Sequence, residues 1–272
     1  MNEINITLDK PIAYGRTAEV YAWGNKQVLK LFYDWYEFKN IEYEQRIAQA
    51  VHASGLTVPL VGEIIRIKDR TGLIYQRIDG FTMEEMLPLK LWRVHHYARQ
   101  LAGLQAEMHA NTLHAELPGQ RERLTEKINR AESLSDDLRD RTLAALESMP
   151  EGSRLCHGDF HPGNIIIGKK DAIIIDWVDV SLGNPLADLA RTTILVIEAL
   201  ETNKIQNSLE KLIARGFHNS YIHRYFSLRP GGEDEYKRWL PIVAAARLSE
   251  NINIPESVKW LVTQAEKVPS TQ

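Results

Sequence analysis

Three residues of this chain are suited to chemistry by type and spacing: Asp159, Asn164 five positions later, and Asp176 beyond a short apolar stretch. They fall in the run Cys156-His157-Gly158-Asp159-Phe160-His161-Pro162-Gly163-Asn164 and in Ile175-Asp176-Trp177. Phosphoryl transfer from a nucleotide needs one carboxylate to accept a hydroxyl proton and two oxygen ligands for Mg²⁺. Asp159 suits the first task, and Asn164 with Asp176 suits the second.

Local pattern says how these groups could meet. Ile165-Ile166-Ile167 reads as a strand, Gly168-Lys169-Lys170-Asp171 as a turn, and Ala172 to Ile175 as a second strand. In an antiparallel hairpin the residue entering the first strand lies beside the one leaving the second, which brings Asn164 and Asp176 together. Pro162 restrains the approach and Gly163 permits a sharp bend. Two other readings exist. His-Gly-Asp alone is common turn chemistry. His157, Asp159 and His161 could also be transition-metal ligands of a hydrolase. That second reading leaves Asn164 and Asp176 unexplained, and histidines 52, 95, 96, 109, 114, 218 and 223 show no ligand spacing.

Bulk properties limit the partners. The chain has 272 residues, 44% of them hydrophobic, enough for a full core in one large or two ordinary domains. A net charge of −3 argues against a non-specific nucleic-acid role or a polybasic membrane role. A single cysteine, Cys156, cannot form an internal disulfide, and beside Leu155 it reads as a small buried hydrophobe and not a nucleophile. Met1-Asn2-Glu3-Ile4-Asn5 lacks the start of a signal peptide, and no stretch approaches the ~18 apolar residues that would span a bilayer. These features predict a soluble, cytoplasmic protein.

The first eighty residues read as strands with one helix. Ala18 to Trp23 and Gln27 to Phe32 form a hairpin around Gly24-Asn25-Lys26, with Val28, Lys30 and Phe32 on one face. A half-buried lysine there needs an anion, either a phosphate or a carboxylate. Helical spacing from Glu37 to Ser54 puts Glu44 in the centre of the arc Ile41, Ile47, Ala48 and Val51, which makes it the natural partner of Lys30. A glutamate reaching to water is the alternative. Gly15-Arg16-Thr17-Ala18-Glu19-Val20 precedes the Lys30 hairpin with only one glycine, a weak phosphate-loop signal. Val61 to Ile67 and Leu73 to Ile78 read as another hairpin around Lys68-Asp69-Arg70-Thr71-Gly72. After Gly80 the pattern turns helical, so the expected division is 1–79, a β-rich nucleotide-binding part, and 80–272, a helical part with the catalytic loop and the acceptor site. A linker there could offer backbone groups to a purine edge.

In the helical part, 91–110, 120–148, 186–200, 205–226, 234–250 and 256–267 have helical spacing. Asn184-Pro185 opens the helix that carries Asp188 and Arg191, where Asp188 also suits the positive helix terminus.

The chain resembles the aminoglycoside phosphotransferase and choline kinase-like family of small-molecule kinases from about Ile12 to Leu261. The strongest segments are the runs 157–164 (HGDFHPGN), 175–177 (IDW) and 184–191 (NPLADLAR). The run from His157 to Asn164 also resembles the H-x-D-x-x-x-x-N catalytic loop of kinases. The resemblance implies an α+β, bilobal protein-kinase-like fold with a small β-rich N-terminal lobe and a larger, mostly helical C-terminal lobe. It implies ATP and Mg²⁺ as cofactors, Asp159 as catalytic base, Asn164 and Asp176 as metal ligands, and Lys30 with Glu44 as the phosphate-anchoring pair. It makes Gln76 to Ile78, with Gln76 and Ile78 as contacts, the adenine hinge, Asp188 a brace for the catalytic loop, and His157 structural. His161 stands where many protein kinases carry a lysine. No DFG or APE segment is present, so a small-molecule hydroxyl acceptor is expected in place of a protein. A nucleotide-binding pseudokinase and a metallohydrolase are the other readings. A polycationic acceptor would call for a carboxylate cluster. Glu198, Glu201, Glu233, Asp234, Glu235 and Glu250 are candidates, interspersed with Lys204, Lys211, Arg215, Arg224 and Arg229.

Overall fold

A computed structural model of the protein describes residues 8–111, 117–169, 171–202 and 207–269. The N-terminal pentapeptide, His114, Lys170, Lys204 and the start of the helix expected from 205 lie outside those residues. The elements in chain order begin with β1 (Ala13–Tyr14), β2 (Ala18–Trp23), β3 (Gln27–Phe32), α1 (Phe38–Ala53), β4 (Val61–Ile67), β5 (Arg70–Gln76) and β6 (Gly80–Thr82). Then come α2 (Met83–Leu89), α3 (Val94–Met108), α4 (Gln120–Arg130), α5 (Asp136–Glu147), β7 (Arg154–Cys156), β8 (Ile165–Gly168) and β9 (Ala172–Ile174). The chain continues through β10 (Ser181–Gly183), α6 (Pro185–Glu201), α7 (Ser208–Leu228), α8 (Glu233–Arg247) and α9 (Pro255–Ala265). This is the α+β architecture expected, with an antiparallel sheet followed by a helical region.

The chain forms two compact units. One contains residues 1–83 and 164–178, the other 84–163 and 179–272. In the first, an antiparallel sheet runs in the order β1-β2-β3-β5-β4. One core cluster gathers Tyr21, Leu29, Leu31, Ile65 and Ile67, and another gathers Ala18, Phe32, Ile41 and Leu73. Alternation along β3 therefore feeds two cores, since Leu29 and Leu31 point opposite to Lys30 and Phe32. Ile41 belongs to α1, whose buried stripe is Ile41, Glu44, Ile47, Ala48 and Val51, as the spacing predicts. A second sheet, β6-β8-β9, completes this unit and takes the Asn164–Asp176 hairpin with it.

Two local expectations are corrected. The hairpin turn between β4 and β5 is only Lys68-Asp69, with Lys68 at φ 53, and the strand starts at Arg70 and ends at Gln76, leaving Ile78 beyond it. Gly72 is a strand residue because Leu29 Cδ1 would lie 2.6 Å from a Cβ placed there, so the glycine serves close packing and not a turn. Gly80 opens no helix. It pairs with Gly168, and a Cβ there would sit 2.3 Å from the Ile167 carbonyl oxygen.

The second unit is built on helix packing, chiefly α3 on α7, α6 on α8 and α8 on α9, with the short ladder β7–β10 beside the 157–163 loop. That two-stranded ladder has no counterpart in the sequence reading. Asn184 caps α6 by accepting from the Leu186 amide at 2.9 Å, and Pro185 follows in the first turn. From Ala187 to Ile194 every residue of α6 is buried, so Asp188, Arg191, Thr192 and Thr193 all need partners inside the protein. Cys156 is buried on β7, and burial pushes its thiol well above the ordinary value, which fits a packing role.

Candidate functional site

In the first unit the two charges foreseen for pairing do pair. Lys30 Nζ donates to Glu44 Oε1 at 2.8 Å and to Asp176 Oδ1 at 3.3 Å. β3 supplies the lysine, α1 the glutamate, and the turn after β9 the aspartate. Tyr75 on β5 adds a hydroxyl to Glu44 Oε1 at 2.8 Å, while Glu44 Oε2 is buried without a hydrogen-bond partner among the described residues. Burial alone pushes the Lys30 amine down, but the charges of Asp176 and Glu44 outweigh it and hold the ammonium well above its usual value. Lys30 is thus a fixed cation between a buried carboxylate and one whose side chain is 47% exposed.

The Asn164 carbonyl accepts from the Ile175 amide at 3.0 Å, closing the β8–β9 hairpin immediately before Asp176. Asp176 has φ 61, the left-handed region that a non-glycine side chain enters at a cost of about 1 kcal/mol. The turn therefore aims a carboxylate where relaxed backbone would not put it. The Asn164 amide and the Asp176 carboxylate are hard oxygen donors of the kind Mg²⁺ takes, and two protein ligands leave room for phosphate oxygens and water. Among the described residues there is no group of three or more His, Cys, Asp or Glu able to hold a metal ion. Of the expected purine contacts, Gln76 is the last residue of β5 and Ile78 lies beyond it. The Gln76 amide donates to the Leu60 carbonyl at 2.7 Å and its side-chain oxygen accepts from the Leu60 amide at 3.2 Å, whereas Ile78 follows the strand, half-buried.

Asp159 belongs to the second unit. Its Oδ1 accepts from Arg191 Nη2 at 2.9 Å, and its Oδ2 lies 3.6 Å from His161 Nε2. The Gly163 amide donates to His161 Nδ1 at 3.1 Å, which leaves the ring proton on Nε2, facing Asp159. Burial pushes the Asp159 carboxyl up, but His161 and the Arg191 charge override it and hold it well below the usual carboxylate range. The carboxylate is ionised at any physiological pH.

Asp188 fixes the loop's backbone. It is buried and accepts from the Gly158 amide (2.7 Å), the His157 amide (3.3 Å), Gln105 Nε2 (3.1 Å) and His109 Nε2 (3.0 Å). Gly158 sits at φ 79 against Asp179, where a Cβ would be 2.3 Å from the Asp179 carbonyl oxygen. The network runs outward through α3 to α7, where His109 Nδ1 meets the Tyr225 hydroxyl at 2.6 Å and the Tyr221 hydroxyl donates to Gln105 Oε1. His157 accepts from the Asp159 amide at 3.2 Å and packs edge-on to Phe160.

The sequence reading gave no role to Arg191, Tyr75 or His109, and it considered Glu250 only as a carboxylate for a cationic acceptor. A lone arginine in the buried part of α6 was the available signal, since such a charge must find a carboxylate. Of the six carboxylates considered for a cationic acceptor, Glu198 is buried under Arg247, Glu201 meets Arg215 at 2.9 Å, and Asp234 meets Lys237 at 2.8 Å. Glu235 accepts from Asn184 Nδ2 at 2.7 Å, and Glu250 takes Arg191, Arg247 and Lys127 together. Only Glu233 faces an open groove, with His218 and His223 of α7.

No curated protein sequence matches the chain. Solved structures share its fold at low identity. A thermostable mutant of aminoglycoside phosphotransferase APH(4)-Ia, in a ternary complex with AMP-PNP and hygromycin B, is 14% identical with a TM-score of 0.67, over 95% of this chain and 92% of that one. Amicoumacin kinase hAmiN, in complex with AMP-PNP, Ca²⁺ and Ami, is 14% identical with a TM-score of 0.66, over 95% and 87%. A choline/ethanolamine kinase family protein from Mesorhizobium loti is 14% identical with a TM-score of 0.63, over 97% and 88%. The family model of the phosphotransferase enzyme family, APH, matches residues 10–229. The chain belongs to that phosphotransferase enzyme family.

Proposed function

We propose that the protein transfers the γ-phosphate of ATP to a hydroxyl of a small molecule. The observation that carries this reading is Lys30 Nζ held between Glu44 at 2.8 Å and Asp176 at 3.3 Å, a fixed cation beside an exposed carboxylate. In this reading Lys30 grips the nucleotide phosphates, Glu44 and Tyr75 hold Lys30, and Gln76 to Ile78 present backbone groups to the adenine. Asn164 and Asp176 would hold Mg²⁺, which when bound offsets the charge on the phosphates. The acceptor oxygen bonds to the γ-phosphorus while the bond to the bridging oxygen breaks, and ADP leaves. The acceptor proton goes to Asp159. Because that carboxylate is a weak base, it serves first to orient the hydroxyl and takes the proton as the new P–O bond forms.

Residues 1–79 then serve nucleotide binding, and 80–272 carry the catalytic loop and the acceptor site. The acceptor is neutral or weakly charged, since five of the six candidate carboxylates are already committed to protein partners. Dependence on ATP and a buried thiol suit a cytoplasmic setting. Among the described residues no helix is long and apolar enough to cross a membrane.

The test is ADP release from ATP plus Mg²⁺ across a panel of amino alcohols, sugars and aminoglycosides, beside controls with Zn²⁺ or Mn²⁺ and no ATP. Acceptor-dependent ADP release supports the reading. Hydrolytic activity that needs a transition metal and no ATP refutes it, and nucleotide binding without turnover across the panel points to a regulatory module.

A further inference from the structure

We propose that Arg191 is a positioning residue that holds Asp159 in its reactive orientation, and that Glu250 in turn holds Arg191. This rests on the reading that Asp159 accepts the acceptor's proton. Arg191 lies on α6 and is 8% exposed, so its guanidinium has lost most of its water. A cation buried to that extent persists only with anions against it. Arg191 Nη2 divides its donation between Asp159 Oδ1 at 2.9 Å and Glu250 Oε2 at 2.9 Å. Glu250, just past α8, is gripped on its other sides by Arg247 Nη1 at 2.6 Å and Lys127 Nζ at 3.3 Å, and Arg247 is itself seated on Glu198. Lys127 reaches Asp179 as well, at 3.2 Å.

The consequence is directional. Oδ1 already accepts from a permanent cation, so a proton reaching Asp159 goes to Oδ2, the oxygen on the His161 side. Together with His161, the same contact keeps the carboxylate ionised against its burial. The Asp159 carboxylate meets Arg191 of α6 and His161, and the cavity beside Arg191 is lined by Glu250 and Arg247 from the end of α8, Lys127 and Arg123 from α4, and Asp179 and Asp188. Arg191 pairs with one oxygen of Asp159 at 2.9 Å, and His161 lies 3.6 Å from the other. An arginine serves here better than a lysine, because a planar fork holds two carboxylates at set angles and an ammonium does not.

The experiment substitutes Arg191→Met and Arg191→Lys and reads Asp159 directly. Protein labelled with ¹³C-carboxyl aspartate is titrated from pH 4 to 8, with Asp159→Asn identifying the resonance, and ADP release from MgATP is followed in parallel with water as acceptor. In the parent protein the Asp159 resonance stays flat. In Arg191→Met it begins to titrate at the acid end of that range, because His161 alone then opposes burial, and ADP release is lost preferentially at pH 6 relative to pH 8. MgATP affinity stays within about twofold. Arg191→Lys, which keeps the positive charge, retains a flat titration but releases ADP at least about fivefold more slowly, separating charge from geometry. A flat titration in Arg191→Met, or an undiminished rate in Arg191→Lys, overturns the proposal. If Asp159→Asn keeps full ADP release, the functional reading itself fails. If Asp159→Asn is inactive while both Arg191 variants behave like the parent, only the role of Arg191 fails.

Discussion

Removing Lys30 should cost more than removing Glu44, although the two form one ion pair. Lys30→Met strands two carboxylates, and Glu44, 4% exposed, keeps only the Tyr75 hydroxyl. Breaking a buried pair from one side costs about 3–5 kcal/mol. In Glu44→Gln the amide oxygen still accepts from Tyr75 and Lys30, and Lys30 retains Asp176 at 3.3 Å, so the loss is about 1–2 kcal/mol. The double variant leaves no buried unpaired charge on this side of β3 and should lose about 2–3 kcal/mol. The singles sum to about 4–7 kcal/mol, so the coupling is about 2–4 kcal/mol. Urea unfolding followed at once by circular dichroism and tryptophan fluorescence measures it, with coincident transitions licensing the free energies. Additivity within about 0.5 kcal/mol, or a Lys30→Met no worse than Glu44→Gln, refutes the reasoning.

Asp159→Ala should keep MgATP affinity and lose about 10²-fold or more in turnover, whereas Asp176→Ala should weaken metal–nucleotide binding; calorimetry beside steady-state ADP release separates them, and the reverse pattern would exchange the two roles. Asp176→Gly relieves the left-handed backbone while deleting the ligand, so its thermal midpoint should equal or exceed that of Asp176→Ala even as both lose activity; a lower midpoint contradicts the strain. Glu250 is buried, which pushes its carboxyl up, yet Arg191, Lys127 and Arg247 pull it down to about 2 from 4.5. A depressed carboxylate stabilises the fold above its unfolded value and loses that contribution as pH falls from about 4.5 towards 2, about 3 kcal/mol in all; Glu250→Gln should flatten the acid limb of the urea midpoint, and an unchanged limb would refute it. Turnover of the true acceptor should change little between 50 and 500 mM salt, since steep loss would mark a polycation held by several carboxylates.

The parts of the fold legible in the sequence are those set by local chemistry. Period-two alternation fixed β2 and β3, and a glutamate in the apolar arc of α1 announced Lys30 as its partner. The hairpin between Asn164 and Asp176 was legible because its apolar runs are short and bounded. Where the reading missed, a distant residue decides the structure. Gly72 and Gly80 look like turn residues along the chain, and only Leu29 and the Ile167 carbonyl explain why a side chain has no room at either. Arg191 carried a signal in its burial pattern, but the partner that gives it meaning, Glu250, is 59 residues away. The Asp188 network likewise depends on His109 and Tyr225, whose apolar helix faces do not advertise a shared hydrogen bond.

The first unit is discontinuous in sequence, and this bears on how the protein is made. Residues 84–163 separate its two pieces. At about 5–20 residues per second, a ribosome needs about 4–16 s to cross that interval. Through that time β6 lacks β8, the strand it pairs with, and Lys30 has Glu44 but not Asp176. The nascent sheet can bury the Leu29 and Phe32 clusters from the start, because α1 and β1–β5 are complete by residue 76. Lys30 is therefore seated early on Glu44, and Asp176, its second carboxylate, arrives later.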